Sequence, residues 1–497
     1  MDAFGAEGYR EVEKLPIGEA AETAPNGLVG RVSCAASKTG SGEGGGQVMP
    51  GEKRGWRTVG IAAAILAAML ASLVYGYLIR RNHYFPYHLA IHTIKAMQPE
   101  PSERWHLARP DTGTGPGSPE NVKHLANLPY LQGYRPATSS GGIRAYDRTL
   151  AQDGLNLFVS AHAPVATLMD MDGTVVKTWT SDTAKAFPGF ELRGPNTVHA
   201  HFFRRVRLMP DGGVLAIFDE IGLVRLDSAS RIVWALRERV HHDFFVDEKG
   251  EIWVLTRESK MVPDLRPKSP VWEDAVVEVS PDGHVVRRVS LLDAFRQSSY
   301  DSMLMRMPPA EDIFHTNSIQ VLDGTLGDRL PAFRKGNILV SIPRLDAVAV
   351  LDPAEGRIVW ALTGQWSAQH SAHLLSSGNL LLFDNLGLMK AASRVVEVDP
   401  LTQKMVWSFG GRAGEELLSE TSGWVERLAN GNTLITESNF GRVIEVTSDN
   451  RVAWEFVNPN RAGEKNQLVA TIYGMERVGR DLPFLKERKG GSAAASR

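Results

Sequence analysis

The segment PDGGVLAIFDEIGLVRLDSASRIVW, residues 210–234, contains the pattern that decides the fold of this chain. A Gly-containing turn leads into an apolar run. A second apolar run then ends near an acidic residue, and after another turn a third run carries Trp. Short β-rich runs separated by Gly, Asp and Asn are typical of antiparallel strands joined by tight turns. The segment therefore predicts three consecutive strands of one sheet.

This pattern occurs six times along the chain. The turn and the strand after it recur as QDGLNLFVS (152–160), PDGGVLAIF (210–218), EKGEIWVLT (248–256), RKGNILVSI (334–342), SSGNLLLFD (376–384) and ANGNTLITE (429–437). The last strand of each copy carries one residue at a matching position, namely Trp179, Trp234, Arg287, Trp360, Trp407 or Trp454. These positions are 47 to 55 residues apart, except for 73 residues between Arg287 and Trp360, where the helical-looking segment 290–307 is inserted.

Six four-stranded units of this length predict an all-β fold, a six-bladed β-propeller. The first copy lacks a leading strand, and LVATIYGMERV (468–478) is expected to supply it from the C-terminal end and close the ring. A solenoid of the same units is the alternative, but it would leave long exposed strand edges that ring closure removes.

The composition excludes several classes of protein. Lys and Arg number 55 and Asp and Glu 57, so the chain of 497 residues has a net charge of −2 and no basic surplus for nucleic acid. Cys34 is the single cysteine, which rules out an intrachain disulfide and a Cys-rich zinc site. The apolar content of 43% is that of a folded protein.

The N-terminal part of the chain contains one candidate membrane span. TVGIAAAILAAMLASLVYGYLI (58–79) has 22 residues without a charge, enough to cross a bilayer core of about 30 Å as a helix. A buried core helix and a cleaved signal peptide are the alternatives. We expect an uncleaved single-pass anchor in the inner membrane with the bulk of the protein on the periplasmic side. The predicted organisation is a disordered tail (1–57), a transmembrane helix (58–79), a linker and wrapping segment (80–150), the propeller (151–485) and a disordered C-terminal tail (486–497).

Three histidines and an arginine are the candidate site residues. His242 and His370 each lie eight residues before the turn glycine of their repeat, Gly250 and Gly378, so they hold equivalent places in two blades. His315 lies in the corresponding leading segment of the blade between them, and Arg344 follows the next strand of that blade. Because equivalent positions of a propeller converge at the channel mouth, we expect these side chains to lie close together.

Two chemistries are compatible with this set. Three neutral imidazoles with an open fourth position are a known zinc pattern. A guanidinium aimed at the same point disfavours a metal cation and favours an oxyanion such as a sulfate or phosphate ester, which it binds in bidentate fashion. The sequence also contains no GxxxxGK[ST] phosphate loop.

The chain from about 125 to 485 resembles the arylsulfate sulfotransferases, bacterial six-bladed propellers. The resemblance depends on GLNLF…ATLMDMDGTVVKTW, HHDFFVDEKGEIWVL, FHTNSI, QHSAHLLSSGNLLLFDN and RLANGNTLITE, and the ordered set HHD, HxN, Arg, QH and FDN is its specific part. It implies that the histidine of QH, His370, is a nucleophile that becomes a transient sulfohistidine. His242 and His315 would surround the sulfuryl group, one of them as acid and base, and Arg344 would stabilise charge on the sulfuryl oxygens.

The resemblance also implies substrates and further contacts. The donor would be an aryl sulfate and the acceptor a phenol, with no cofactor, no metal and no nucleotide sulfate donor. Asn317, His241 and His373 are the candidate substrate-binding residues, and Asn317 would orient His315. The membrane is the expected partner through one helix, nucleic acid is not, and a homodimer is compatible with the sequence.

Two other functions remain open from the residues alone. One is a noncatalytic propeller that serves as a binding or assembly module at the membrane. The other is a metal-dependent hydrolase or oxidoreductase that uses the three histidines. The anchor and the 290–307 insertion depart from the plainest form of the family, as does the absence of a disulfide, and they bear on substrate choice more than on chemistry.

Overall fold

The computed structural model describes residues 68–70, 72, 75, 141–190, 201–265, 270–307, 311–387, 392–412, 415–462, 466, 468–482 and 484. The chain divides into two compact units, residues 1–99 and 100–497. The predicted tails, most of the predicted span and most of the predicted linker lie outside the described residues. The described residues of the span are helical, and no helix in the described part of the chain has the length and apolar character needed to cross a bilayer.

The second unit is a six-bladed β-propeller of four-stranded antiparallel sheets, as the repeats predict. In chain order the first strands are β1 (Gly142–Tyr146), β2 (Leu155–Ser160), β3 (Val165–Met169) and β4 (Val175–Thr180). Blade 2 consists of β5 (Arg205–Leu208), β6 (Val214–Phe218), β7 (Gly222–Leu226) and β8 (Ile232–Leu236). Blade 3 consists of β9 (Val240–Val246), β10 (Ile252–Lys260), β11 (Val271–Val279) and β12 (Val285–Ser290). Blade 4 consists of β13 (Ser318–Val321), β14 (Ile338–Ile342), β15 (Ala347–Asp352) and β16 (Arg357–Thr363).

Blade 5 consists of β17 (His370–Leu374), β18 (Leu380–Asp384), β19 (Arg394–Val398) and β20 (Met405–Phe409). A small hairpin follows, β21 (Gly411–Arg412) and β22 (Glu415–Glu416). Blade 6 consists of β23 (Trp424–Arg427), β24 (Thr433–Glu437), β25 (Arg442–Val446) and β26 (Val452–Val457). The last strands are β27 (Arg461–Ala462), β28 (Leu468–Val469) and β29 (Ile472–Val478).

The ring is closed by strands from both ends of the propeller. β29 pairs with β2 and so becomes the innermost strand of blade 1, ahead of β2, β3 and β4. This confirms the closure expected from residues 468–478. At the other end, β1 pairs with β26 and adds a fifth strand to the outer edge of blade 6. Blades 6 and 1 are therefore joined by two crossing segments, which stabilises a ring that would otherwise open there.

The repeated Trp of the outer strands connects neighbouring blades. At four of the positions the indole N–H donates a hydrogen bond to a turn carbonyl of the next blade, and in blade 3 the guanidinium of Arg287 does the same. The pairs are Trp179–Gly212 at 3.1 Å, Trp234–Pro281 at 3.0 Å, Arg287–Pro353 at 3.2 Å, Trp407–Ser448 at 3.0 Å and Trp454–Met171 at 2.9 Å. Where Arg replaces Trp, a cavity of about 630 Å³ lies between blades 3 and 4.

The insertion between blades 3 and 4 has the helical character that its sequence predicts. It contains an α-helix (Leu291–Arg296) capped by Ser290, then a 3₁₀ helix (Asp301–Arg306). Short 3₁₀ turns also occur at Pro331–Phe333, Pro343–Leu345 and Ser438–Phe440, and a four-residue helix spans Thr183–Ala186. The longer helix buries Leu291, Leu292, Ala294 and Phe295 in the core of blades 3 and 4. Within this core the ring centroid of Phe295 is 5.6 Å from that of Phe314, the residue directly before His315.

Candidate active site

Three predicted histidines meet where the innermost strands of blades 3, 4 and 5 begin. His242 lies in β9, His315 precedes β13, and His370 is the first residue of β17. The ring centroids of His242 and His315 are 4.7 Å apart, and those of His242 and His370 are 6.5 Å apart. The three imidazole rings therefore lie close together, at the equivalent repeat positions of neighbouring blades. We call this group of three side chains the histidine cluster.

Left-handed backbone conformations bring these rings to the cluster. The φ angles are +58° at His242 and +54° at His315, and Ala368 and Ser371, on either side of His370, are at +54°. The ladders of β9 and β17 with their neighbours are interrupted by bulges at the same places. A non-glycine residue in this region costs of order 1–3 kcal/mol, and such residues concentrate at functional sites. The backbone is thus irregular where the imidazoles converge.

His370 is held in one tautomer by its neighbours. Its Nδ1 lies 2.8 Å from Asn385 Oδ1 and 3.1 Å from the carbonyl oxygen of Ala368. The Nδ2 of Asn385 donates to the carbonyls of Ser419 and Ser422, which fixes its oxygen toward the imidazole. With acceptors on that side, the hydrogen-bond network assigns the proton to Nδ1 and leaves the lone pair on Nε2. Burial lowers the pKa of His370 to about 3, so the ring is neutral.

His315 forms a dyad with Asp312. Nδ1 of His315 hydrogen bonds to Oδ2 of Asp312, and the side chain of His315 is 20% exposed. Burial acts to raise the pKa of Asp312, but the hydrogen bond and charge of His315, with the charges of Arg257 and Arg344, lower it to about 2. The carboxylate is therefore ionised. This hydrogen bond orients the imidazole ring of His315.

Arg344 reaches the cluster through that carboxylate. It lies on the 3₁₀ turn Pro343–Leu345, and its Nη2 is 3.9 Å from Asp312 Oδ2. Its side chain is 46% exposed, so the guanidinium is at the rim of the mouth. The structure therefore brings Arg344 to the same site as His315, with N–H groups accessible to a ligand.

His242 is supported from behind by His241. The two Nδ1 atoms are 2.9 Å apart, which requires one ring to donate and the other to accept. Burial lowers the pKa of His241 to about 3 and lowers that of His242 well below its ordinary value, so both rings are neutral. His241 is fully buried, and its Nε2 lies 3.8 Å from Asp274. It contacts His242 rather than the open mouth.

The other two candidate substrate-binding residues have structural contacts. The amide of Asn317 donates to the carbonyl of Gln369 at 2.9 Å, so it holds the peptide before His370 and not the ring of His315. His373 lies further along β17, where its Nε2 contacts Ser371 Oγ at 3.0 Å and its ring packs edge-on against Trp424. Burial lowers the pKa of His373 to about 3.

His373 belongs to a second polar layer across the channel. Arg205 Nε lies 3.2 Å from Asp243 and Nη2 lies 2.5 Å from Glu476, while the guanidinium stacks 3.3 Å from the centroid of Trp424. We call this layer, formed by Arg205, Asp243, Glu476, Trp424 and His373, the septum. A cavity of about 660 Å³ that opens at the far end of the channel is lined by His373, Trp424 and Glu476.

Three residues of the site were missed by the sequence predictions. Asp312 and Asn385 are the partners of His315 and His370. Arg204 is a buried arginine: burial is the largest cause that lowers the pKa of His242 and of His370, and the charge of Arg204 lowers both further. A signal for Arg204 is present in the sequence. It lies eight residues before Gly212, the same count that separates His242 and His370 from their turn glycines.

The described residues contain no group of three or more His, Cys, Asp or Glu side chains arranged to hold a metal ion. The three clustered imidazoles have their Nδ1 atoms engaged by His241, Asp312 and Asn385. The remaining groups are one lone pair on His370, the imidazole of His315 supported by a carboxylate, and the half-exposed guanidinium of Arg344. This is the equipment of nucleophilic and acid–base chemistry on an anionic group.

One protein family and several solved structures are similar to this chain. The fold and the site together define a class of protein, the six-bladed propellers with histidines and arginines at the channel mouth. The family model for arylsulfotransferase (ASST) matches residues 205–459, and the chain belongs to that family. The match includes the whole histidine cluster, Asp312, Arg344 and Asn385.

Several solved structures are similar to this chain at low sequence identity. A protein of unknown function from Bacteroides caccae is 14% identical, with 65% of this chain and 98% of that chain covered and a TM-score of 0.43. Virginiamycin B lyase from Staphylococcus aureus is 10% identical, with 69% and 98% covered and a TM-score of 0.37. Hydrazine synthase from Kuenenia stuttgartiensis is 11% identical, with 64% and 80% covered and a TM-score of 0.36. The search of curated proteins found no match.

Proposed function

We propose that this protein transfers a sulfuryl group from an aryl sulfate to a phenol through a sulfohistidine at His370, without a nucleotide donor. Membership of the arylsulfotransferase family implies small aryl substrates. The observation that carries the finer proposal is the fixed tautomer of His370. Its Nδ1 faces Asn385 and Ala368, so the neutral ring presents the Nε2 lone pair beside two other histidines.

The first half-reaction moves the sulfuryl group to the protein. The Nε2 lone pair of His370 attacks sulfur, the bond between sulfur and the aryl oxygen breaks, and the oxygen leaves with the electron pair. The protonated ring of His315 gives a proton to that oxygen, so a neutral phenol departs. Asp312 favours this residue over His242 as the acid, because a carboxylate supports the imidazolium whereas burial holds His242 neutral.

The second half-reaction reverses these steps with another phenol. The neutral ring of His315 takes the hydroxyl proton, the phenol oxygen attacks sulfur, and the bond between sulfur and Nε2 of His370 breaks. The electron pair returns to Nε2. Arg344 stabilises negative charge on the sulfuryl oxygens in both directions. Splitting one transfer into two displacements predicts ping-pong kinetics.

The proposal is tested with 4-nitrophenyl sulfate as donor and phenol as acceptor. Wild-type protein should release a burst of nitrophenol and gain one SO₃ group at His370, seen by peptide mass spectrometry. His370→Asn should show neither, while remaining folded. His284→Asn is the matched control, since that histidine is 80% exposed on a blade turn and should retain full activity. Absence of turnover and of sulfated His370 in wild-type protein over a broad panel of donors would refute the proposal.

We also propose that residues 58–79 anchor the protein in the inner membrane with the propeller on the periplasmic side. The motivation is the uncharged run, which follows Lys53, Arg54 and Arg57 and precedes Arg80 and Arg81, a basic bias of three to two toward the N-terminal side. The single cysteine, Cys34, makes the test simple. In intact cells it should be protected from a membrane-impermeant maleimide and become labelled after lysis. Labelling in intact cells would contradict this orientation.

A further inference from the structure

Arg204 is a buried arginine that has no role in the two half-reactions above. It lies directly before β5, the innermost strand of blade 2, and its side chain is 7% exposed. Counted from the turn glycine, it occupies in blade 2 the place that His242 and His370 occupy in blades 3 and 5. The repeat geometry that brings those histidines to the mouth therefore applies to Arg204 as well.

Arg204 contacts residues that hold His242 on one side and residues that hold His370 on the other. On one side Nε lies 3.9 Å from Asp219, whose other carboxylate oxygen accepts the backbone N–H of His242 at 3.2 Å. On the other side Nη2 donates to Ser422 Oγ at 3.3 Å, and the carbonyl of Ser422 accepts from Asn385, the partner of His370. The face of the guanidinium packs 4.3 Å from the centroid of Tyr473.

These contacts involve only two of the three guanidinium nitrogens of Arg204, and neither contact is short. A guanidinium has five N–H donors, and the ion pair with Asp219 is long while the hydrogen bond to Ser422 is at the upper limit of the usual range. The adjacent Arg205 differs, since it lies 2.5 Å from Glu476 and 3.2 Å from Asp243. A buried cation with donors to spare is expensive unless an anion completes its environment.

We propose that Arg204 is a catalytic residue that binds the oxygens of the sulfuryl group while it passes between substrate and His370. This inference rests on the proposed function. Arg204 and Arg344 would then hold the group from the two sides of the cluster, Arg204 from the buried side of blade 2 and Arg344 from the rim of blade 4. The planar fork of each matches the oxygens of a sulfuryl group.

The same charge keeps the nucleophile unprotonated. The charged and titratable groups around His370 include Arg204, His315 and His242. Those around His242 include Arg204, His315, His241, His370 and Asp219. Burial lowers the pKa of His370 first, and the positive charge of Arg204 lowers it further. Removing the charge of Arg204 should therefore raise the pKa of His370. On acidification, the variant should then lose activity at a higher pH than wild-type protein does.

The experiment compares Arg204→Met and Arg204→Lys with wild-type protein, with Arg231→Met as control because Arg231 is 81% exposed on the outer part of the same blade. Arg204→Met should slow sulfation of His370 by about 10²–10³-fold, the usual loss for one oxyanion donor. It should also move the acid limb of kcat/KM to higher pH. Arg204→Lys should restore the acid limb but only part of the rate, since an ammonium is a point charge.

Two outcomes would overturn the inference. One is an Arg204→Met variant with wild-type sulfation rate and acid limb. The other is equal loss of folded protein in Arg204→Met and Arg204→Lys, with the folded remainder unchanged in rate and pH profile, which would indicate a structural role. Titration with inorganic sulfate, followed by the histidine NMR signals, needs no turnover. If wild-type protein transfers nothing, the proposed function fails. In that case, weaker sulfate binding by Arg204→Met than by Arg231→Met would still support Arg204 as an oxyanion ligand. Equal sulfate binding by the two variants would overturn the role of Arg204.

Discussion

Two adjacent arginines, Arg204 and Arg205, separate the channel into regions of different character. Arg205 is in the septum, where short ion pairs to Asp243 and Glu476 and a Trp424 ring surround it. Arg204 is at the histidine cluster, where its contacts are long. Both side chains are buried to a similar degree. Burial therefore does not distinguish the two arginines, but the lengths of their polar contacts do.

The septum also explains how a propeller can hold a reactive layer at one end of its channel. Arg205 comes from blade 2, Asp243 from blade 3, Glu476 from blade 1 and Trp424 from blade 6, and Asp243 accepts the backbone N–H of Ile319 from blade 4 at 3.1 Å. His373 adds blade 5 through its contact with Trp424. Every blade thus contacts one layer, and this layer supports a cluster whose backbone is left-handed at His242 and His315.

The largest expected effect breaks the septum. Arg205→Met would leave Asp243 and Glu476 without their cation, and removal of one partner of a buried ion pair typically costs about 3–5 kcal/mol. We expect a fall of this size in the free energy of unfolding, measured by urea denaturation of wild-type and variant protein. Arg204→Met should lose much less stability because its ion pair is long. Equal losses in the two variants would remove the distinction between the layers.

The next effect is on the tautomer of His370. Asn385→Ala should let the proton move between the ring nitrogens and should lower kcat/KM by about 10²-fold, or about 2.7 kcal/mol. Steady-state kinetics with 4-nitrophenyl sulfate measures this. Asn432→Ala is a matched control, because Asn432 is a buried asparagine of blade 6 that donates to Leu150 at 2.8 Å, away from the cluster. It should reduce stability and leave kcat/KM unchanged. Loss of activity in both variants would argue against a specific role for Asn385.

The fold was predictable from the sequence because its information is repeated. Six copies of one strand and turn pattern gave six sheets, and even the closing strand could be assigned, since copy one lacked a leading strand and only residues 468–478 offered one. The exception at Arg287 was visible too, although the sequence did not reveal that Arg would hydrogen bond to the next blade as Trp does. The local sequence pattern determines these features, so they can be predicted without knowing which distant residues are in contact.

The site was predictable only where it follows the repeat. His242 and His370 were found by their spacing, and the same spacing pointed to Arg204, but a search among histidines passed over it. Asn385 lies in the FDN piece of the resemblance, but spacing assigns no role to it or to Asp312, because both act through side-chain contacts with His370 and His315. The expectation that Asn317 orients His315 was incorrect for the same reason, since its amide bonds instead to Gln369 of blade 5. Contacts between blades are set by packing, which spacing along the chain does not encode.

The smallest expected effect is a pH dependence of the unfolding free energy that arises beside the septum. Glu426 lies in β23 beside the septum, and burial, with the charge of Glu476, raises its pKa to about 8. The folded pKa is above the unfolded value near 4.5, so the proton on Glu426 stabilises the fold fully below pH 4.5, and this contribution is lost as the pH rises to about 8. Wild-type protein should therefore lose about 1–3 kcal/mol of unfolding free energy between pH 5 and pH 8.5 through this group.

Glu426→Gln keeps the shape of the side chain and removes the titration, so its stability should fall less over the same pH range. Urea denaturation at pH 5 and pH 8.5 measures the difference, and Asp243, whose pKa burial raises to about 6, contributes equally to both proteins and cancels. Glu248→Gln is the control, because Glu248 is 90% exposed at the end of blade 3. If wild type and Glu426→Gln lose the same unfolding free energy between pH 5 and pH 8.5, ionisation of Glu426 does not destabilise the septum. The septum would then tolerate an unpaired charge, and this property would not distinguish the histidine cluster from it.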